Sequence, residues 1–299
     1  MDRRDIETFL TLAEELHFGR TAERLHLSQA SVSQVIKKLE RQIGAPLFER
    51  TSRQVAITAI GRRLRDDIAP AHDMIVEAVA RATAAGRGIE GLLKVGFLGA
   101  ATGDALARVI DAFGAEYPGC AVSLREIQVA EGPTPLRTGE LDILGAPFPC
   151  EAPDLVMGPL LYHERRMLAV PSAHPLARRS SVTHRDLASV PVLTMMSTWP
   201  DSLVTDQVPP FLPDDEPVRR GPEFWTFQEA LALIATGQGV YPVGAQVIAY
   251  YSRPGVTYVP FSDGAELEWG LVWRPADETA RIRAFAAIAR RHRGTDQRA

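Results

Sequence analysis

The amino-acid sequence predicts a mixed α/β protein in three parts: an N-terminal winged helix-turn-helix, a long linker helix and a two-lobe α/β body. Three observations carry that reading. Between Phe18 and Arg50, apolar residues recur at helical spacing on both sides of a short polar break. From Ala59 to Ala85 a narrower apolar stripe runs at three-to-four residue spacing. At Leu92 the pattern changes to short apolar runs alternating with helical segments, the mark of an α/β body with largely parallel sheets.

In the first part, Ile6, Phe9, Leu10, Leu12 and Ala13 give an opening helix its apolar stripe, and Phe18 packs the turn after it. Ala22, Leu25 and Leu27, then Val32, Val35, Ile36, Leu39 and Ile43, commit one face of the following helix pair to a small core. Ser28 stands where a side-chain acceptor caps the second helix of that pair. Its exposed face carries Gln29, Ala30, Ser31, Ser33 and Gln34 in the first turns and Lys37, Lys38 and Arg41 further on. Hydrogen-bonding groups first and cations later suit a helix whose N-terminal turns enter a major groove while its later turns lie near phosphates. Gly44 and Pro46 end the helix, and RTSRQVAIT, from Arg50 to Thr58, turns back on itself as a two-stranded wing.

Thr58 caps the linker helix, in which Ile60, Leu64, Ile68, Ile75, Val79 and Ala82 form a stripe narrow enough to pair with a twin helix. Pro70 is expected to kink it or mark a local break. The hinge that follows, Gly86 to Gly91, satisfies GxGxxG, but no strand precedes it and no helix follows, which argues against a dinucleotide site. In the body, LLKVGFLG reads as a strand, Asp104 to Tyr117 as a helix, AVSLREI as a strand, Thr134 to Thr138 as a short helix and LDILGAP as a strand. That order makes one Rossmann-like lobe. Leu161 to Pro171 crosses into a second lobe, and the strand LEWGLVWRP with a helix from Arg281 to Arg291 returns to the first. The expected divisions are 1–58 for the head, 59–91 for linker and hinge, and 92–299 for the body. Its first lobe takes about 92–161 and 268–299, its second about 162–267.

The net charge of −4 divides unevenly. Residues 1–65 hold twelve of the 33 Lys/Arg and eight of the 37 acids, or +4, which leaves 21 cations against 29 acids, or −8, for the rest. A basic head on an acidic body is the footprint of a chain that presents one end to nucleic acid. The modest +4 implies that two or more heads act together. Met1 leads straight into the charged MDRRDIE, and no apolar run of membrane-spanning length occurs, so the expected location is cytoplasmic, with no membrane partner. Cys120 and Cys150 are then expected to be reduced thiols. With no GxSxG, GxxxxGK[ST] or HExxH, and seven histidines without ligand spacing, neither an enzyme, a metal site nor a cofactor is expected.

Leu25, Ser28, Gln29, Ser33, Ile36, Leu39, Glu40, Gly44, Leu47, Phe48 and Arg50 carry a pattern, LxxSQxxxSxxIxxLExxxGxxLFxR, that closely resembles the DNA-binding end of LysR-type transcriptional regulators. The resemblance implies an effector-binding body that shares its fold with periplasmic ligand-binding proteins. It also implies Arg50 and Arg53 as wing contacts to DNA, with Arg53 at the tip. The implied partners are double-stranded promoter DNA with an interrupted inverted repeat, a small-molecule effector, and a second or further copies as homodimer or homotetramer; it also admits RNA polymerase. Placed on that scaffold, Ala100, Ala101, Thr102, Gln128, Val129, Ser197, Thr198, Trp199, Phe224 and Thr226 fall at the cleft between the lobes. Relatives that sense small carboxylates often carry hydroxyls where Ala100 and Val129 stand, so a larger or more apolar effector is expected, held by Thr102, Gln128, Ser197 and Thr198. The alternative is a cytoplasmic small-molecule-binding protein whose N-terminal helices serve only assembly.

Overall fold

The computed structural model describes residues 3–50, 55–86, 88–212 and 215–292, and the chain divides into two compact units, Met1–Thr83 and Ala84–Ala299. The first unit opens with α1 (Arg3–Glu15), α2 (Phe18–Arg24) and α3 (Gln29–Ile43). Its core is Phe9, Leu12, Ala22, Val32, Ile36, Leu39, Leu47 and Phe48, with the Phe9 and Phe48 rings 5.7 Å apart. His26, at φ +52, turns the chain between α2 and α3, and Leu27 N then donates to Ala22 O at 2.8 Å. Ser28 accepts from Ser31 N at 3.1 Å and so caps α3, worth roughly 1 kcal/mol. At the other end Gly44 takes the left-handed conformation that closes the helix, its N–H on Glu40 O.

The wing is a short antiparallel pair, β1 (Phe48–Arg50) and β2 (Val55–Ile57). Glu40 ties it to α3: its Oε1 accepts from Leu47 N at 2.9 Å and Phe48 N at 3.2 Å. Thr58 Oγ1 caps α4 (Ala59–Gly86) through Gly61 N at 2.9 Å. Of the kink or break expected at Pro70, the break does not occur: α4 continues as helix across it. A ring with no N–H forfeits one backbone bond here without ending the helix. Leu64 packs on the head core, whereas Met74, Ile75 and Val79 leave 69%, 53% and 52% of their surface exposed.

The body builds its first lobe from β3 (Gly91–Phe97), α5 (Ala100–Glu116), β4 (Cys120–Glu126), α6 (Thr134–Arg137), β5 (Ile143–Phe148) and β6 (Val156–Glu164). The second follows with β7 (Arg166–Pro171), β8 (Val192–Met195), α7 (Asp201–Gln207), β9 (Arg220–Phe224), α8 (Phe227–Ala235), β10 (Tyr241–Gly244), α9 (Val247–Tyr250) and β11 (Val256–Pro260). The chain then returns through β12 (Leu267–Trp273) and α10 (Ala280–Arg291). Five strands in the order β4-β3-β5-β12-β6 form the first sheet. Leu93, Val95, Phe113 and Phe285 pack one face of it, and Ile127, Leu144, Trp199 and Val272 the other. In the second lobe, β10-β7-β11 is joined to the β8-β9 pair by a single parallel bridge, Val192 to Val240.

The sheets are less parallel than the sequence predicts. β3 pairs in parallel with β4 and β5, and β8 with β9, but β12 runs antiparallel to both neighbours, as does β7. The reason is the double crossing: one residue, Arg165, separates β6 from β7, so a strand entering the other lobe runs against its new neighbours. α5 starts four residues before the expected Asp104, since Gly99 at φ +76 turns the chain directly off β3 into helix. The strands β9 and β11 and the helices α7 and α9 have no counterpart in the sequence reading; each is at most seven residues long, too short for a distinct period.

Candidate nucleic-acid interface and ligand cleft

Helix α3 directs Ser28, Gln29, Ala30, Gln34 and Lys37 to solvent, with Ser31 and Ser33 half-buried beside them. The polar face is therefore contiguous over the first turns. Three of the head's cations, Arg20, Arg24 and Lys38, are spent on internal ion pairs. Lys38 Nζ lies 2.8 Å from Oδ2 of Asp5, which is 3% exposed, so Lys38 braces α3 on α1 instead of joining the open face. Arg20 and Arg24 bind Glu15, each at 3.1 Å, and Arg24 also binds Glu14 at 2.8 Å. The Arg20 and Arg24 guanidiniums hold the Glu15 carboxyl below the usual carboxylate range. Among the described residues neither Lys37 nor Arg41 has an ion-pair partner, so these two cations of α3 remain available to an external anion. Arg50 closes β1 opposite Val55. Arg53 lies outside the described residues.

The cleft is a cavity of about 140 Å³ where the ends of β3, β8 and β9 meet the starts of α5 and α9. Of the residues expected there, Ala100, Ala101, Thr102, Gln128, Val129, Trp199 and Phe224 line it. Ser197, Thr198 and Thr226 do not, and each has a local task. Ser197 Oγ accepts from Trp199 N at 3.4 Å, and Thr226 Oγ1 caps α8 through Glu229 N at 3.2 Å. Thr198 Oγ1 donates to Glu131 O at 2.6 Å and meets Thr134 Oγ1 at 2.8 Å, tying the segment after β8 to the first lobe. Trp199 Nε1 reinforces that tie with a bond of 2.9 Å to Val129 O. Thr102 is fully buried, and its hydroxyl meets Tyr162 Oη at 3.0 Å.

Beyond Trp199 and Phe224, the sequence reading missed most of the aromatic and acidic lining, including Tyr162, Glu164, Tyr241, Tyr250, Tyr251 and Trp269. Tyr162 stacks on Trp269 with ring centroids 5.7 Å apart and planes at 13°. Tyr250 Oη donates to Asp104 Oδ2 at 2.7 Å, and Ala100 N donates to Tyr251 Oη at 3.2 Å. These two bonds join the end of α9, in the second lobe, to the first turns of α5, in the first. A run of two tyrosines, Tyr250-Tyr251, was the one signal in the sequence for this contact.

Elsewhere, Cys120 and Cys150 are free and buried in different clusters. Burial pushes both thiols up, Cys150 to about 11, so neither is a thiolate at neutral pH. Among the described residues no cluster of His, Cys, Asp and Glu is arranged to hold a metal ion, and no helix is long and apolar enough to cross a membrane.

A capped, polar-faced helix on a winged head, carried by the same chain as a two-lobe body with an apolar cleft, defines a ligand-responsive DNA-binding regulator. Residues 3–62 match the model of the bacterial regulatory helix-turn-helix protein, lysR family, and residues 86–294 match that of the LysR substrate binding domain; the chain belongs to the LysR family of transcriptional regulators. It is 30% identical over 296 residues to the HTH-type transcriptional regulator AlsR of Bacillus subtilis (strain 168), covering 97% of this chain and 95% of that one. Among solved structures, a hydrogen-peroxide-bound cysteine-to-serine mutant of Corynebacterium glutamicum OxyR is similar at 27% identity and a TM-score of 0.52, covering 97% of this chain and 94% of that one. Full-length CbnR complexed with its target DNA shares the fold at 23% identity and a TM-score of 0.53, over 98% of this chain and 99% of that one. The protein is thus a LysR-type DNA-binding transcriptional regulator with an effector-binding domain, and its relatives are regulators, not enzymes. The reading in which the N-terminal helices serve only assembly is set aside.

Proposed function

We propose that the protein regulates transcription by binding an interrupted inverted repeat as a two-fold symmetric dimer, with Ser28, Gln29, Ala30, Ser31, Ser33 and Gln34 at the groove, Lys37 at the adjoining phosphates, and Arg50 and Arg53 on the wing. The observation that carries the reading is the exposed polar face of α3. A Gln amide offers one donor and one acceptor, which match adenine N6 and N7, so Gln34 draws one base of each half-site towards A·T. The exposed Met74, Ile75 and Val79 on α4 support pairing of two chains through the linker helix. The assembly is a homodimer or a homotetramer, RNA polymerase is the further contact at the promoter, and the protein works in the bacterial cytoplasm at the nucleoid. The effector occupies the cleft between the lobes, touching Ala101, Gln128, Val129, Trp199 and Phe224. A cavity of about 140 Å³ argues against the larger effector expected from the sequence.

The test is selection of bound sites from a random DNA pool by the wild type and by Gln34→Arg. Two half-sites in inverted orientation are expected with both proteins. The substitution is expected to move one base per half-site towards guanine by ~1–3 kcal/mol of discrimination. Identical half-site preferences for the two proteins defeat the readout assigned to Gln34, and single, unpaired half-sites defeat the dimer.

A further inference from the structure

Among the described residues that line the cleft there is no Lys, Arg or His, whereas two carboxylates, Glu126 and Glu164, reach it. Glu164 is the last residue of β6 and only 7% exposed. Its Oε1 accepts from the Trp269 indole N–H at 2.7 Å and its Oε2 from Gln246 N at 2.6 Å. The carboxyl group is seated against the backbone of Gly244, where a Cβ would collide with Oε1. Among the described residues no cation pairs with it. A carboxylate has about four acceptor positions, so two donors leave capacity for a third partner from the cavity. Acidic side chains are rarely this buried without a counter-charge, because an uncompensated ion in an apolar setting is costly. Burial pushes the Glu164 carboxyl up, the direction expected of a group lacking its counter-ion.

The rest of the site discriminates in the same sense. An anion in a cleft of this kind is held by free amides at a helix N-terminus. Here the first amide of α5, Ala100 N, is already donated to Tyr251 Oη at 3.2 Å. The Tyr162–Trp269 stack lines the cleft, with the Trp269 N–H edge on Glu164, and aromatic faces attract cations and repel anions. The cavity of about 140 Å³ is close to the ~150 Å³ apolar cavity that accepts benzene.

We infer that the effector is a small organic amine, protonated when bound, whose ammonium sits against Glu164 while an apolar body about the size of one ring fills the cavity between Ala101 and Phe224. The inference rests on the cleft being the effector site, and it assigns Glu164 as the residue that selects for charge. One ring carried on three head groups tests it: benzylamine, benzyl alcohol and benzoate, each titrated into the full-length protein by calorimetry at neutral pH. Benzylamine is expected to bind at least about tenfold tighter than benzyl alcohol and benzoate weakest of the three, tenfold corresponding to ~1.4 kcal/mol. In Glu164→Gln the advantage of benzylamine over benzyl alcohol is expected to disappear, and in Ala101→Leu, which fills the cavity, all three ligands are expected to weaken. Benzoate binding as well as or better than benzylamine in the wild type overturns the inference without any variant, as does no binding by any of the three. If that benzoate binding is abolished in Ala101→Leu, the cleft remains the site and only the ligand class is wrong. Undiminished benzylamine binding in Ala101→Leu overturns the cleft itself.

Discussion

Helix α3 presents its polar face within one continuous stretch, Ser28 to Lys37, whereas the cleft draws its lining from separate segments between Leu98 and Trp269. The two surfaces also treat charge differently. The head pairs Arg20, Arg24 and Lys38 internally, through Glu15, Glu14 and Asp5, while among the described residues Lys37 and Arg41 on α3 have no ion-pair partner and stay available to an external anion. Among the described residues the cleft has no cation in its lining and Glu164 has no counter-ion. A helix face depends on spacing along the chain and a small core beneath it, while a cleft depends on which distant segments two lobes bring together. Damage to the first should therefore follow local packing, and damage to the second should follow single contacts across the lobes.

The largest effect is expected from the head core. Phe9 is fully buried against Phe48, and Phe9→Ala should remove about 3–5 kcal/mol of head stability and abolish DNA binding. Urea denaturation followed by separate probes for head and body measures this; a matching loss in the body would break the separation between the two units. Glu40→Ala comes next. Removing the acceptor for Leu47 N and Phe48 N should cost about 1.5–3 kcal/mol and loosen the wing, with Glu40→Gln retaining part of it. Equal stability of the alanine and glutamine variants in a thermal melt would show that the two bonds do not hold the wing.

Lys37→Ala should weaken every DNA sequence alike and lower the salt-dependence slope by about 0.9 for each phosphate that is no longer neutralised. Affinities measured across a salt series check it, and a change confined to particular sequences would move Lys37 from the phosphates to the bases. The smallest effect belongs to the cleft. Tyr251→Phe removes the acceptor for Ala100 N, at a cost to the body of roughly 0.5–1.5 kcal/mol, and reopens that amide to an anion. Benzoate affinity should rise in the variant relative to benzylamine. Unchanged relative affinities would remove Tyr251 from the discrimination.

By itself the sequence determined the family, the capped recognition helix and the order of the main strands and helices of the body. It could do so because a stripe such as Val32, Ile36 and Leu39, a cap such as Ser28 and a stop such as Gly44 act over a few residues, where spacing is structure. Other features came only from the folded chain. Lys38 reads as one more exposed cation until α1 brings Asp5 to it across 33 residues. Thr198 reads as a cleft hydroxyl until the first lobe supplies Glu131 O, 67 residues away. Glu164 and Trp269 are 105 residues apart, and Tyr251 meets Ala100 across 151. No local pattern encodes such pairs: helix packing joins the one in the head, and in the body what joins them is the double crossing of the chain between two lobes, which also sets which strands run antiparallel. The recognition surface was therefore written along one helix, and the character of the ligand cleft was decided by tertiary packing.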